Sequence, residues 1–176
     1  DIRMNKRLAV NIAGIEMKTP VMTGSGTFGN GPEYADYINL NEIGAVVSKG
    51  VSVKPRAGNP GVRMAETPAG MLNCIGLENP GVDYFIEKTL PEVNKYDVPI
   101  IINITGNTLE EYAELAERLT IPSVAGLELN ISCPNVKSGM AFGADCVLAA
   151  EAVHAVKEAS NLPLITKMTP NVTDVV

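Results

Sequence analysis

The stretch Leu127-Glu128-Leu129-Asn130-Ile131-Ser132-Cys133-Pro134-Asn135 decides how this chain is read. Alternation puts Leu127, Leu129 and Ile131 on one face of a strand, and Glu128, Asn130 and Ser132 on the other. A proline ends the strand, and two amides and a thiol gather at its exit. Parallel α/β sheets build their sites at such strand ends. One polar strand end is weak evidence, so the flanking segments have to be asked the same question.

They give the same answer. A hairpin turning near Gly14 is followed by a strand from Val21 that runs into Gly24-Ser25-Gly26-Thr27-Phe28-Gly29-Asn30-Gly31. That loop is either a plain turn or backbone built to approach a ligand, and it is not read as a dinucleotide fingerprint. Pro32 to Leu40 predicts a short helix, and Ala45 to Gly50 a strand ending in Ser48-Lys49-Gly50. Lys49 either snorkels to solvent or faces a ligand. Pro99 to Thr105 is an apolar strand holding one amide, Asn103, and Leu162 to Met168 is a strand with Lys167 near its end.

Between these strands the pattern is helical or irregular. Residues 51–81 are rich in Pro and Gly, repeat Asn-Pro-Gly at Asn59 and Asn79, and leave room for a small hairpin (Val62 to Met64 with Gly70 to Leu72) before Asn73-Cys74-Ile75-Gly76-Leu77. A connection this long is usually functional. A helix is expected from Pro80 with Asn79 as its N-cap, broken at Pro91 and restarted by a Thr89/Glu92 capping box. Thr108 and Glu111 cap the next helix, which runs to Leu119; another spans Ala144 to Ala159, with His154 on its polar side. The segment from Pro134 to Gly143 is expected to act as a lid. Five strands alternating with helices, with Ser25, Lys49, Asn103, Asn130, Cys133 and Lys167 at their ends, predict an α/β fold of the (β/α)8 TIM-barrel type. The chain would supply about the first five β/α units plus an N-terminal hairpin, with 1–176 as part of a single domain.

Composition narrows the function. The 176 residues are 45% hydrophobic and 19% charged, as in an ordinary globular protein. A net charge of −6 argues against a nucleic-acid partner. No apolar run reaches the roughly 20 residues of a membrane helix, and no secretory leader is expected. Three widely spaced cysteines, Cys74, Cys133 and Cys146, form neither a disulfide framework nor a metal site, which points to a reducing cytoplasm. The strand-end set lacks the histidine and carboxylate of a nucleophilic triad, and no metal ligands gather in it. Amides and ammonium groups suit a flat, polar heteroaromatic ligand bearing oxyanions. A thiol can serve as base where its surroundings favour thiolate.

At Leu129-Asn130-Ile131-Ser132-Cys133-Pro134-Asn135 the sequence resembles the dihydroorotate dehydrogenases, FMN enzymes of pyrimidine synthesis. The resemblance extends to Gly24-Ser25-Gly26, Ser48-Lys49-Gly50, the run Asn73 to Gly81, Ile102-Asn103-Ile104 and Thr166-Lys167-Met168, in order along essentially the whole chain. Cysteine at the base position resembles class 1, and Val136 to Gly143 resembles the 1B lid. The resemblance implies a partner subunit carrying FAD and a 2Fe-2S cluster, a heterotetramer, and NAD as final acceptor. It also implies roles residue by residue. Cys133 would take the C5 proton of dihydroorotate while hydride leaves C6 for the flavin, and Lys49 would contact flavin and substrate. Asn73, Ile75, Gly76, Leu77, Asn130 and Asn135 would hold orotate; Ser25, Lys49, Gly50, Asn103, Asn130 and Lys167 would contact FMN. Cys74 and Cys146 are expected to be buried filler.

A full barrel takes about 250 residues, so the chain is expected to be a truncated portion of one that binds FMN poorly and shows little activity alone. A flavin domain like that of dihydropyrimidine dehydrogenase, or an inactive half-barrel, are the competing expectations.

Overall fold

The computed structural model describes residues 7–132 and 142–174. Its centre is a parallel sheet of four strands in the order β3 (Val46–Val47), β6 (Ile100–Ile104), β7 (Gly126–Asn130), β8 (Leu164–Lys167). Every residue of β6 and β7 is buried, as expected of parallel strands covered on both faces. The register pairs Asn103 with Glu128 and Asn130 with Lys167, so polar residues of neighbouring strands lie side by side.

The two faces differ. On the outer one, Ile100, Ile102, Ile104, Leu127 and Leu129 pack against Tyr112, Leu115 and Leu119 of α3 (Leu109–Leu119) and Ala152 and Val156 of α4 (Cys146–Ala159). Each leucine buried there contributes roughly 1.5–3 kcal/mol. On the inner one, Ala45, Val47 and Ile101 meet Ile15 and Met17 from the hairpin β1 (Val10–Ile12) and β2 (Ile15–Met17). The hairpin turns at Ala13-Gly14 and floors the sheet near the N-terminal ends of its strands. Gly126 makes the fit possible, since a Cβ there would lie 2.8 Å from the Ile15 Cδ1. A second hairpin, β4 (Met64–Thr67) with β5 (Gly70–Asn73), is exposed along its whole length.

Helix starts follow local chemistry. The Thr108 hydroxyl accepts from the Glu111 N–H at 3.2 Å, while the Glu111 carboxylate reaches one residue further back than a standard box, to the Asn107 N–H at 2.6 Å. The Glu110 carboxyl is held below the ordinary glutamate value, first by its own backbone N–H and then by the Thr108 hydroxyl. Asp145 caps α4 by accepting from Val147 and Leu148.

Several expectations are corrected. The strand from Val21 is a single parallel bridge, Met22 to Ala45, because Val21 and Met22 stay exposed and have no apolar face to bury. The helix expected over Pro32 to Leu40 is two 3-10 turns, Pro32–Tyr34 and Leu40–Glu42, in which only Leu40 is buried. The helix after Asn79 starts at Val82 behind Gly81 and does not break at Pro91: α1 (Val82–Tyr84) passes through a π turn (Phe85–Thr89) into α2 (Leu90–Val93). The Leu90 N–H reaches back to Phe85, and this wider turn accommodates the proline without a new cap, so Thr89 makes none. Cys74 and Cys146 are exposed rather than buried, one beside the exposed hairpin and one in the first turn of α4. The described strands form an open α/β parallel sheet, and no closed barrel is present among the described residues. The expected lid, Pro134 to Gly143, lies outside them except for Phe142 and Gly143.

Candidate functional site

The site grows from a row of hydrogen bonds along the C-terminal ends of β6 and β7. Glu128, Asn130 and Asn103 project from the inner face and are each less than a tenth exposed. Asn103 Nδ2 donates to Glu128 Oε1 at 2.6 Å; Asn130 Nδ2 donates to Asn103 Oδ1 at 3.3 Å; Ser132 Oγ donates to Asn130 Oδ1 at 2.9 Å. A carboxylate only accepts, so Glu128 fixes which way the Asn103 amide points, and Asn103 then fixes Asn130. On the outer side the Tyr112 hydroxyl donates to the Asn130 carbonyl at 2.8 Å, anchoring the same strand end to α3.

The next strand end is bent open. Val47 pairs with Ile101 and Val51 with Ile104, leaving one residue more on the first strand than on its partner. This bulge lifts Lys49 and Gly50 out of the ladder. The Lys49 N–H donates to Gly29 at 3.0 Å and to Asn30 Oδ1 at 3.2 Å, and the Ser48 hydroxyl accepts from the Asn103 N–H at 3.1 Å. A Cβ at Gly50 would stand 3.1 Å from Asn103 Oδ1, so the lack of a side chain lets the buried bulge pack this closely on the amide. Lys49 and Gly50 also line a cavity of about 500 Å³ with Asn30, Arg56, Glu78 and Phe85. At the far edge, Lys167 Nζ donates to Ser25 Oγ at 2.9 Å and ties β8 to the glycine loop. Gly24, Gly26 and Gly29 do have Gly-x-Gly-x-x-Gly spacing, but the loop leads into a three-residue 3-10 turn and offers no helix N-terminus to a pyrophosphate.

The segment after β5 completes the rim. Gly76 and Leu77 both have positive φ, 78° and 57°, a conformation a leucine adopts only when its surroundings enforce it. The Leu77 side chain reaches to 3.7 Å from where a Gly50 Cβ would stand, which brings this segment beside the bulge. The carbonyls of Cys74, Ile75 and Leu77 all accept from asparagines, whereas the N–H groups of Ile75, Gly76 and Leu77 have no acceptor among the described residues. Consecutive free N–H groups make a concavity for an anion. Asn73, at the end of β5, is exposed.

Of the residues singled out from the sequence, Gly50, Leu77, Asn103 and Asn130 come together, with Ser25 and Lys167 joined at the edge and Lys49 in the adjoining cavity wall. Cys133 and Asn135 lie outside the described residues. Glu128, Ser48, Asn59 and Asn79 were missed as site residues. For Glu128 the signal was present, since alternation sets it on the same face as Asn130. Among the described residues no group of three or more His, Cys, Asp or Glu side chains could hold a metal ion. His154 is exposed and lies 3.2 Å from Glu158. No described helix is long and apolar enough to cross a membrane.

Parallel strands that deliver amides, lysines and a backbone anion concavity to one end define an α/β protein whose strand ends suit a polar, planar, anionic ligand. Comparison with known families makes this specific: residues 7–176 match the dihydroorotate dehydrogenase family. The chain belongs to that family. It is 57% identical over 171 residues to the dihydroorotate dehydrogenase B (NAD(+)) catalytic subunit of Geotalea daltonii, covering 96% of this chain and 56% of that protein. The subunit of the same name from Geobacter metallireducens is 58% identical over 171 residues, with the same two coverages, and that of Pelobacter propionicus 56% over 175 residues, covering 98% and 58%. These relatives group the chain with class 1B. The chain spans a little over half the length of the relatives it matches.

Proposed function

We propose that this chain is the N-terminal portion of an FMN-binding (β/α)8 barrel, the catalytic subunit of a class 1B dihydroorotate dehydrogenase that oxidises dihydroorotate to orotate in pyrimidine biosynthesis. The observation that carries the reading is the fixed Glu128–Asn103–Asn130 row beside the Gly50 bulge. That donor set suits a flavin: Asn103 and Asn130 form an ordered amide row at the strand ends, while Lys167, Ser25 and Lys49 supply hydrogen-bond donors and positive charge beside it. Bound FMN would supply the hydride acceptor for C6 of the substrate.

The chain's own residues would do the rest. Ile75, Gly76 and Leu77 would offer backbone N–H groups to the substrate carboxylate, with Asn73, Asn130 and Asn135 fixing the ring's orientation. Cys133, which follows directly on Ser132, would take the C5 proton. Lys49 would hold positive charge where flavin and substrate meet, offsetting the negative charge that accumulates as hydride leaves. The relatives' names speak of a catalytic subunit and of NAD(+); by that likeness, electrons would pass to NAD through a partner subunit carrying FAD and a 2Fe-2S cluster, in a cytoplasmic heterotetramer.

The test is anaerobic flavin reduction in the full-length polypeptide. Dihydroorotate should bleach the flavin band, orotate should perturb its spectrum, and uracil should do neither. Cys133→Ser should slow reduction by about a hundredfold, within the range of general-base catalysis, most visibly at neutral pH, while orotate still binds. A polypeptide that takes up no flavin, or that responds to uracil instead of orotate, would overturn the assignment; an unchanged reduction rate in the variant would remove Cys133 from the role of base.

A further inference from the structure

We propose that the asparagines of the two Asn-Pro-Gly turns, Asn59 and Asn79, are positioning residues that preset the 74–77 segment for its ligand. The inference rests on the reading of that segment as the substrate loop.

The two act from opposite sides. Asn59 Nδ2 donates to the Cys74 carbonyl at 2.8 Å and its backbone N–H to the Ile75 carbonyl at 3.0 Å. Asn79 Nδ2 donates to the Leu77 carbonyl at 2.8 Å. Three of the four carbonyls of the segment are thereby engaged with the scaffold, and the intervening N–H groups are left for a ligand. Asn59 also closes on the turn itself: a Cβ at Gly76 would meet its amide at 2.7 Å. The left-handed Gly76-Leu77 pair is therefore held by contacts outside its own backbone.

Asn79 is in turn fixed to the sheet side. It is buried, its Oδ1 accepts from the Ser52 and Gly81 N–H groups at 3.1 and 2.9 Å, and its backbone exchanges hydrogen bonds with Arg56 at 2.9 and 3.0 Å. Ser52 directly follows Val51, which rejoins the sheet beyond the Lys49-Gly50 bulge. One side chain thus links the position of the loop to the strand end that carries Lys49. Asn59 is exposed, so its amide can be removed without opening a core. Preorganising a loop cuts the ordering cost of binding, so loss of either tie should appear in ligand affinity more than in turnover.

The experiment compares Asn59→Ala and Asn79→Ser with wild type in the full-length, FMN-loaded protein. It measures orotate Kd from the flavin spectrum, KM and kcat for dihydroorotate, FMN content and thermal midpoint. Both variants should raise orotate Kd and KM about five- to tenfold, the size of one lost hydrogen bond, with kcat changed less than twofold. Asn59→Ala should keep the wild-type FMN content and midpoint. Asn59→Ala binding orotate within twofold of wild type would overturn the proposal. So would a loss of affinity that tracks loss of FMN or of thermal midpoint in both variants, the mark of a merely structural role. Wild-type protein that binds FMN but not orotate would instead overturn the parent reading, and this inference with it.

Discussion

Glu128 is the residue on which the orientation of the site depends. It binds no ligand in the scheme above, yet its carboxylate decides which end of Asn103, and then of Asn130, is presented as donor. Glu128→Gln keeps size and shape but adds an NH2 group, so the row can reverse. The variant should keep its thermal midpoint within a few degrees and lose FMN affinity by about tenfold, the scale of one charge-assisted hydrogen bond; equilibrium dialysis of FMN against wild-type and variant protein checks this. At this scale the sequence was readable wherever alternation applied: Asn103, Asn130 and Lys167 were placed on strand ends and stand there. Asn59 was read only as a turn residue, and Asn79 as a turn residue and helix N-cap. Their functional contacts are side chain to backbone across a long irregular segment, and such contacts leave no period to detect.

At the scale of elements, α3 and the strand it covers behave as one unit. Tyr112 packs edge-on against Phe142, 5.6 Å between centroids, and its hydroxyl holds the Asn130 carbonyl from the outer face. Tyr112→Phe preserves the packing and leaves that buried carbonyl with one partner fewer, which should cost about 1–2 kcal/mol in urea unfolding. Loss of stability without loss of packing would appear as a lower midpoint at unchanged m-value. The helices α3 and α4 were legible because their apolar residues recur at helical spacing behind Thr108 and Asp145. The helix through Phe85 to Thr89 was misread because Pro91 is a strong stop signal in sequence, whereas a π turn that absorbs it depends on how Phe85 and Leu90 pack.

At the scale of the molecule, the recurrence of apolar strands with polar exits was enough to predict a parallel sheet and four of the five expected strands. It failed for the segment at Val21, whose apolar residues remain largely exposed and make only one bridge. The inner face depends on a single absent side chain: at Gly126 a Cβ would meet Ile15 Cδ1 at 2.8 Å and the Pro163 carbonyl at 3.1 Å. Gly126→Ala should therefore cost about 1–3 kcal/mol by overpacking, and adding Ile15→Val should recover part of it; urea titrations of the two variants measure the recovery, and none would place the strain on Pro163 instead. The flooring hairpin also sets an order of events. A two-stranded ribbon closes in roughly 1–10 μs, but Ile15 and Met17 are covered only once Ile101 and the strand bearing Gly126 have arrived from far along the chain. Non-local contacts of that kind come slowly. An element able to form early is thus among the last to be sheltered, and refolding at high concentration should favour off-pathway association through its uncovered apolar side.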